Sequence, residues 1–382
     1  MEIEIANKHV LFLPEWYPNP DDVQLAIFVE KFARSVSKHL KVSLIFCGPF
    51  AKSNEIELVH SKKDGINSYF CYYPKQKNKL KAYNYFFKAH EMCFAKLKDD
   101  GLPDLVHLHM LFRNYLVYKK LYSKISPKYL ITEQWSGYLN GTYQKLSLLK
   151  KSYYKKAFKH AYFVTAVSKK LAQALNEHFE IQNNIIILPN IAEKDNSTIH
   201  KSTNEFNLLV VADLVDEIKN ISGVIQAYIN SNLQKKSTLT IIGGGHDEIK
   251  LKELALKLNS STKQIVFLGQ LDNPSVLKAM KQNHVLITNS RHETFSMVTA
   301  EALLAGLPVI CTKCGGPQEF VDESNGKLIN IDDKAGLINA IEQMQNDYTY
   351  YDVSALAVNV LNKFGIEKVG QDLKIIYSRI LS

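Results

Sequence analysis

Cysteine is scarce in this 382-residue sequence and irregularly placed: Cys47, Cys71, Cys93, Cys311 and Cys314. An odd, sparse set argues against a disulfide framework and for reduced thiols, so a cytoplasmic location is expected. The spacing Cys311-x-x-Cys314 invites a zinc or redox reading, but no second pair or nearby histidine completes a zinc site. Long hydrophobic runs are also missing. None approaches the roughly 20 residues of a membrane-spanning helix. The apolar run 9–13 follows Glu2 and Glu4 rather than a basic segment, and no small-residue cleavage site comes after it. It reads as a first strand, not a signal peptide. Low-complexity tracts and short repeats are absent. What remains is ordinary for a soluble globular protein, with 46% apolar and 22% charged residues. The length suits two domains, each with its own core.

Acidic charge is short in one half only. Residues 1–200 hold 29 Lys and Arg against 18 Asp and Glu, and residues 201–382 hold 18 against 20. The excess lies in Lys75, Lys77, Lys79, Lys81 and Lys88 among Tyr83, Tyr85, Phe86 and Phe87. A second cluster is Lys145, Lys150, Lys151, Lys155, Lys156 and Lys159 with Tyr153, Tyr154 and Phe158. Basic helices with aromatic neighbours suit an anionic membrane surface, and would also suit nucleic acid. The alternative is a solvated lysine-rich face with its aromatics turned inward.

Short β-rich runs alternate with amphipathic stretches throughout. Strands are predicted at 9–13, 42–46, 68–73, 105–108, 129–132, 162–166 and 185–188, with helices such as 28–40, 80–97 and 168–178 between them. The stretch 190–204 is polar and aperiodic and reads as a linker. Beyond it, strands are predicted at 207–211, 238–242, 265–268, 285–288 and 308–311, with helices at 221–230, 250–258, 274–281 and 296–305. Helical stretches around 353–363 and 366–381 end the chain. Alternation of this kind marks doubly wound parallel sheets. Two such halves suggest a ligand cleft near the carboxyl ends of the strands.

The stretch from Ser290 to Gly306 holds the chemistry. It opens as a polar loop with Glu293 and continues as a helix that is apolar apart from Glu301. An unpaired buried carboxylate is costly, so Glu301 either meets a polar partner, such as a ligand, or caps a solvated edge. Backbone amides near Phe295, Ser296 and Met297 stand at a helix N-terminus, which favours a bound phosphate. One element thus offers a carboxylate, an anion site and a second carboxylate in line. A nucleotide-linked sugar has that layout.

Glu293-x7-Glu301, then 305–310 and Gly315-Gly316-Pro317-Gln318-Glu319, resembles the signature of the retaining glycosyltransferase family 4. Further matching landmarks run the length of the chain. They include Trp16-Tyr17-Pro18, 27–29, His107-Leu108-His109, 132–138, 166–168, Pro189-Asn190, 214–220 and Ile241-Ile242-Gly243-Gly244-Gly245. The resemblance implies an α/β GT-B fold, with two Rossmann-like doubly wound domains facing a central cleft. An acceptor-binding domain is expected over 1–195, a nucleotide-sugar domain over 205–364, and a helix over 365–382 packing back on the first.

The resemblance also implies roles. Glu293 would contact hydroxyls of the donor sugar and Glu301 the ribose hydroxyls. Lys219 would balance the diphosphate as it leaves. Amides around Thr294, Phe295, Ser296, Met297 and Val298, with Gly244 of the glycine turn, would hold sugar and phosphate. No cofactor or metal is implied beyond the nucleotide-diphosphate sugar as co-substrate. Three positions depart from the family. Asp213 stands where arginine is common and would repel a diphosphate unless turned away. Ala26 replaces a glycine before Phe28. Gln134 replaces a histidine beside Glu133, and glutamine cannot act as a base. That leaves His109 as the candidate polar or proton-accepting group, or else a histidine satisfied at a strand end. Asn190 is a further loop candidate, and Glu319 would cap the helix after the glycine pair.

The expected activity is retaining transfer of a hexose-type sugar to a hydroxyl acceptor, a glycan or lipid-linked glycan, at the inner face of a membrane. Peripheral contact through the basic half is expected, and nucleic acid is not expected as a partner. The alternatives are a binding or scaffold protein that kept the fold but lost turnover, and a sugar-nucleotide epimerase.

Overall fold

The computed structural model describes residues 5–22, 25–126, 128–193, 205–234, 236–258 and 263–382. The chain divides into two compact units. The first is Met1–Val167, Leu171–Ile191 and Ile366–Ser382, and the second is Ser168–Lys170 and Ala192–Gly365. Most of the stretch read as a linker, 194–204, lies outside the described residues.

The first unit runs β1 (His9–Pro14), α1 (Phe28–Val36), β2 (Lys41–Phe50), β3 (Glu57–Lys63), β4 (Ile66–Pro74), α2 (Lys79–Asp100), β5 (Leu105–His109), α3 (Asn114–Val117), β6 (Tyr129–Glu133), α4 (Leu148–His160), β7 (Phe163–Ala166), α5 (Lys169–Phe179) and β8 (Ile185–Ile187). The sheet order is β3-β4-β2-β1-β5-β6-β7-β8, parallel except for β3, which pairs antiparallel with β4. Sequence periodicity does not reveal β3, an edge strand whose side chains are nearly all exposed. Its hairpin turns on Asp64-Gly65, both with positive φ, the backbone that a two-residue hairpin loop demands.

The second unit runs β9 (Leu208–Val211), α6 (Asp216–Lys219), α7 (Ile221–Asn230), β10 (Ser237–Ile242), α8 (Glu248–Leu258), β11 (Lys263–Gly269), α9 (Asn273–Gln282), β12 (Val285–Thr288), α10 (Met297–Leu304), β13 (Val309–Thr312), β14 (Gly326–Ile329), α11 (Lys334–Asp347) and α12 (Val353–Phe364). Its six strands are parallel in the order β11-β10-β9-β12-β13-β14. The last helix, α13 (Ile366–Leu381), belongs to the first unit.

Each unit buries its own core. Phe12, Phe32, Leu44 and Leu130 centre the first, where α13 adds Val369, Leu373, Ile376, Tyr377 and Ile380. Phe206, Leu239, Ile287 and Ile341 belong to the second. Strands buried on both faces read as continuous apolar runs, which is why most of them stand out in the sequence. No helix among the described residues is long and apolar enough to cross a membrane.

Candidate active site in the second unit

In an open parallel sheet, ligands bind outside the carboxyl ends of the strands where the winding reverses. In the second unit that point lies between β9 and β12. The loops leaving these two strands, 212–215 and 289–296, carry Asp213 and Glu293, and α6 directly after the first carries Lys219.

Lys219 Nζ donates to Glu293 Oε1 at 2.7 Å, and Ser290 Oγ donates to the same oxygen at 2.7 Å. Burial opposes the lysine charge, but the Glu293 carboxylate, and Asp213 beyond it, more than offset this, so the ammonium is held above its ordinary pKa. Lys219 is therefore a fixed cation. Asp213 is exposed and close enough to feel that charge.

Lys219 ends a four-residue helix, too short to hold itself. Arg291 braces it. Its Nη1 donates to the carbonyls of Asp216 at 3.0 Å and Glu217 at 2.8 Å, and its backbone amide donates to Ile218 O at 2.8 Å. Its Nε and Nη2 reach Asp332 at 2.9 and 2.8 Å. Asp332 also accepts from Asn220 Nδ2, while Asn289 Nδ2 donates to Asn220 O. Asn220 itself takes a left-handed backbone, φ 48, which turns the chain from α6 into α7. A guanidinium at these last carbonyls supplies donors at a helix end, where backbone donors run short.

The Glu293 loop is held by close backbone approach. Glu293 N donates to Cys314 O and Gly316 N donates to Glu293 O. A Cβ on Gly315 would fall 2.2 Å from Glu293 O, and one on Gly316 would fall 2.4 Å from Phe295 O. The glycine pair thus lets the two loops touch. Cys311 and Cys314 are free buried thiols whose pKa values burial raises, so they read as packing in this loop support.

The helix α10 starts at Met297, one residue later than expected, because Ser296 has φ 72. Thr299, Ala300, Ala302, Leu303 and Leu304 are buried, while Met297, Val298 and Glu301 are only half-buried. Glu301 therefore shares the open side of α10 with the residues of its first turn. Thr294 is half-buried as well. Phe295 is not: its ring packs on Phe320 and Phe364, so only its backbone remains for a ligand.

Gly244 is the sterically open glycine of its turn. An added Cβ there would meet nothing nearer than 3.9 Å. Its neighbours are the constrained ones: a Cβ on Gly243 would lie 1.8 Å from Ala212 O, and one on Gly245 would lie 2.4 Å from Leu214 O. Gly244 O accepts from Leu214 N, so this turn shapes the Asp213 loop. Glu319 differs from expectation. Its carboxylate accepts from the amides of Lys169 and Lys170, which cluster with the same unit.

In the first unit, the surroundings of His109 favour a polar over a proton-accepting role. The residue is fully buried against Phe12 and Phe32, and burial pushes its pKa down to about 3, leaving it neutral and a weak base. Glu133 takes a loop role. Its carboxylate accepts from the amides of Leu111, Gln134 and Trp135 and from Tyr138 Oη, so it organises a loop. Burial raises its pKa to about 7. Both ring nitrogens of His109, Gln134 Nε2 and Asn190 Oδ1 are buried without a hydrogen-bond partner among the described residues. These residues end or follow β5, β6 and β8, at the carboxyl edge of the first sheet. Unpartnered buried polar atoms are costly, and a bound ligand or water would relieve them. Ala26 has φ 53, the left-handed backbone where glycine is at ease.

Arg291 and Asp332 have no short-range sequence signal, since their partners are backbone carbonyls and residues far along the chain. The same holds for Glu15, which accepts from Arg113 Nε at 2.9 Å and from the Arg113 and Asn114 amides. A carboxylate just after a first strand is the one cue the sequence offers.

Comparison with known proteins agrees with this fold. The fold is GT-B: Anabaena HepE, solved in complex with UDP and glucose, superposes with a TM-score of 0.71 at 16% identity, covering 98% of this chain and 100% of that one. A family model for glycosyl transferases group 1 matches residues 190–354. That stretch, the greater part of the second unit, is similar to the family. An uncharacterized glycosyltransferase of Methanocaldococcus jannaschii is 26% identical over 305 residues, covering 79% of this chain and 82% of that protein. The N-acetyl-alpha-D-glucosaminyl L-malate synthase of Bacillus anthracis is 25% identical over 230 residues, covering 57% of this chain. That match spans 60% of the relative's own length, less than two thirds.

Proposed function

We propose that this protein is a retaining glycosyltransferase that moves a hexose-type sugar from a nucleotide-diphosphate sugar to a hydroxyl acceptor. The observation that carries the reading is the Lys219–Glu293 pair beside the winding reversal, followed by α10 with Glu301 on its open side. Glu293 would grip the sugar hydroxyls, the first amides of α10 the phosphate, and Glu301 the ribose. As the acceptor oxygen bonds the anomeric carbon, the bond from that carbon to the phosphate oxygen breaks. The nucleoside diphosphate leaves, and the hydroxyl proton passes to its oxygen on the same face of the sugar. Lys219 would stabilise the charge that develops, in place of a resident metal. UDP in the HepE complex makes uridine diphosphate sugars the first donors to try.

The acceptor is read as a glycan or lipid-linked glycan, met by the basic first unit at the cytoplasmic face of a membrane. His109, Gln134 and Asn190 offer neutral hydrogen-bonding groups there, which suits sugar hydroxyls better than proton transfer. The exposed Asp213 favours one second reading, a binding protein whose diphosphate site is weakened. Calorimetry with nucleotide sugars, followed by product analysis against lipid-linked acceptors, decides between them. Binding with a new glycosidic product supports the enzyme, and binding without turnover supports the second reading.

A further inference from the structure

Between Glu133 and Glu177 the sequence contains no Asp or Glu and eight Lys. The helix α4 lies within this stretch. Its inner face, Tyr154, Ala157 and Phe158, is buried in the first unit. Its first two residues are not: Leu148 is 82% exposed and Leu149 is 85% exposed. Scattered exposed leucines are common, but two adjacent ones this open, at the tip of a helix, form an apolar point with nothing on it. Lys145 and Lys150 flank the point, and Lys155 and Lys156 continue along the exposed side of α4. Ser147 Oγ caps the helix start by accepting from Lys150 N, which fixes the leucines at a defined end of a rigid element.

We infer that the Leu148–Leu149 tip and the lysines of α4 dock the protein on a bilayer surface containing anionic lipids, with the leucines inserted at the headgroup–acyl boundary. The proposal deepens, and rests on, the reading of a lipid-linked acceptor. Charge alone would fit nucleic acid equally well. The leucine pair decides, because a phosphate backbone offers nothing for two aliphatic side chains to enter. A bilayer offers both chemistries at adjacent depths, and each alone gives weak, reversible binding. Lys151 is not counted with the docking cations, since its Nζ donates to Gln144 O.

The test uses the full chain and vesicles of phosphatidylglycerol with phosphatidylcholine, against phosphatidylcholine alone, at low and high salt. The parent chain is expected to sediment with the anionic vesicles and to release as salt rises. The double variant Leu148→Ser, Leu149→Ser should partition about tenfold more weakly or worse, with sugar transfer to a soluble acceptor unchanged. Lys150→Glu with Lys155→Glu should give a comparable loss and a shallower salt dependence. Absence of parental binding, or full binding by the leucine variant, overturns the proposal. So does salt-sensitive binding to a nucleic-acid duplex that the leucine variant retains while vesicles are ignored. The soluble-acceptor assay reads the glycosyltransferase assignment separately, so each can fail without the other.

Discussion

Lys219 shows what a single side chain needs in order to act at this site. A lysine on four residues of helix would wander, yet its ammonium stands 2.7 Å from Glu293. Arg291 supplies the missing rigidity through the carbonyls of Asp216, Glu217 and Ile218. It is a positioning residue for the proposed reaction, and a distinct kinetic signature is expected. Arg291→Met should lower kcat by about tenfold to a hundredfold while donor KM shifts no more than a few-fold, because the displaced charge matters most as the phosphate leaves. Arg291→Lys should recover only part of the rate, since an ammonium cannot reach the carbonyls and Asp332 together. Steady-state kinetics with calorimetry of nucleoside diphosphate binding checks this, and an unchanged kcat with a raised KM would contradict it. None of it was legible in the sequence. The Arg291 partners lie more than forty residues away at Asp332 and more than seventy at α6, and carbonyl acceptors leave no compositional trace.

At the scale of elements, sequence and structure agree where hydrophobic pattern and burial coincide. Most central strands of both sheets stand out as apolar runs, and β12 lies at its expected residues. The pattern fails for β3, whose alternation is masked by exposure on both faces, and for β14, four residues at a sheet edge. Sequence leaves a role open where packing rather than residue type decides. Glu133 ends β6 in a family landmark, yet its oxygens are occupied by loop donors. Its pKa of about 7 lies above the ordinary carboxyl value of 4.5. Between those two pH values the folded state keeps a proton that the unfolded chain has lost. Stability from this group is therefore complete below the lower value and declines as pH rises to 7. The decline is of order 3 kcal/mol, at about 1.4 kcal/mol per pKa unit. Glu133→Gln cannot titrate, so the stability difference between parent and variant, followed by urea denaturation, should change across that window. Parallel profiles for the two proteins would refute the assignment.

For the whole molecule, the chain's last helix returns to its first unit. The five buried side chains that α13 places in that core contribute about 2 kcal/mol each, on the order of a domain's entire stability. Tyr377 Oη also partners His107 Nδ1 at 2.7 Å. A chain ending at Gly365 is expected to lose amide protection in β1 and β5, measured by hydrogen exchange, and retained protection there would show that α13 is dispensable. In the second unit, one strand-to-helix segment and one braced lysine form the proposed nucleotide-sugar site. Its most direct test is donor turnover by Glu293→Gln and Glu301→Ala beside the parent chain, with uridine diphosphate sugars and a lipid-linked acceptor pool. A kcat loss of about a hundredfold is expected for Glu293→Gln and a donor KM raised about tenfold for Glu301→Ala. Parental rates and affinities in both variants would contradict the proposed site.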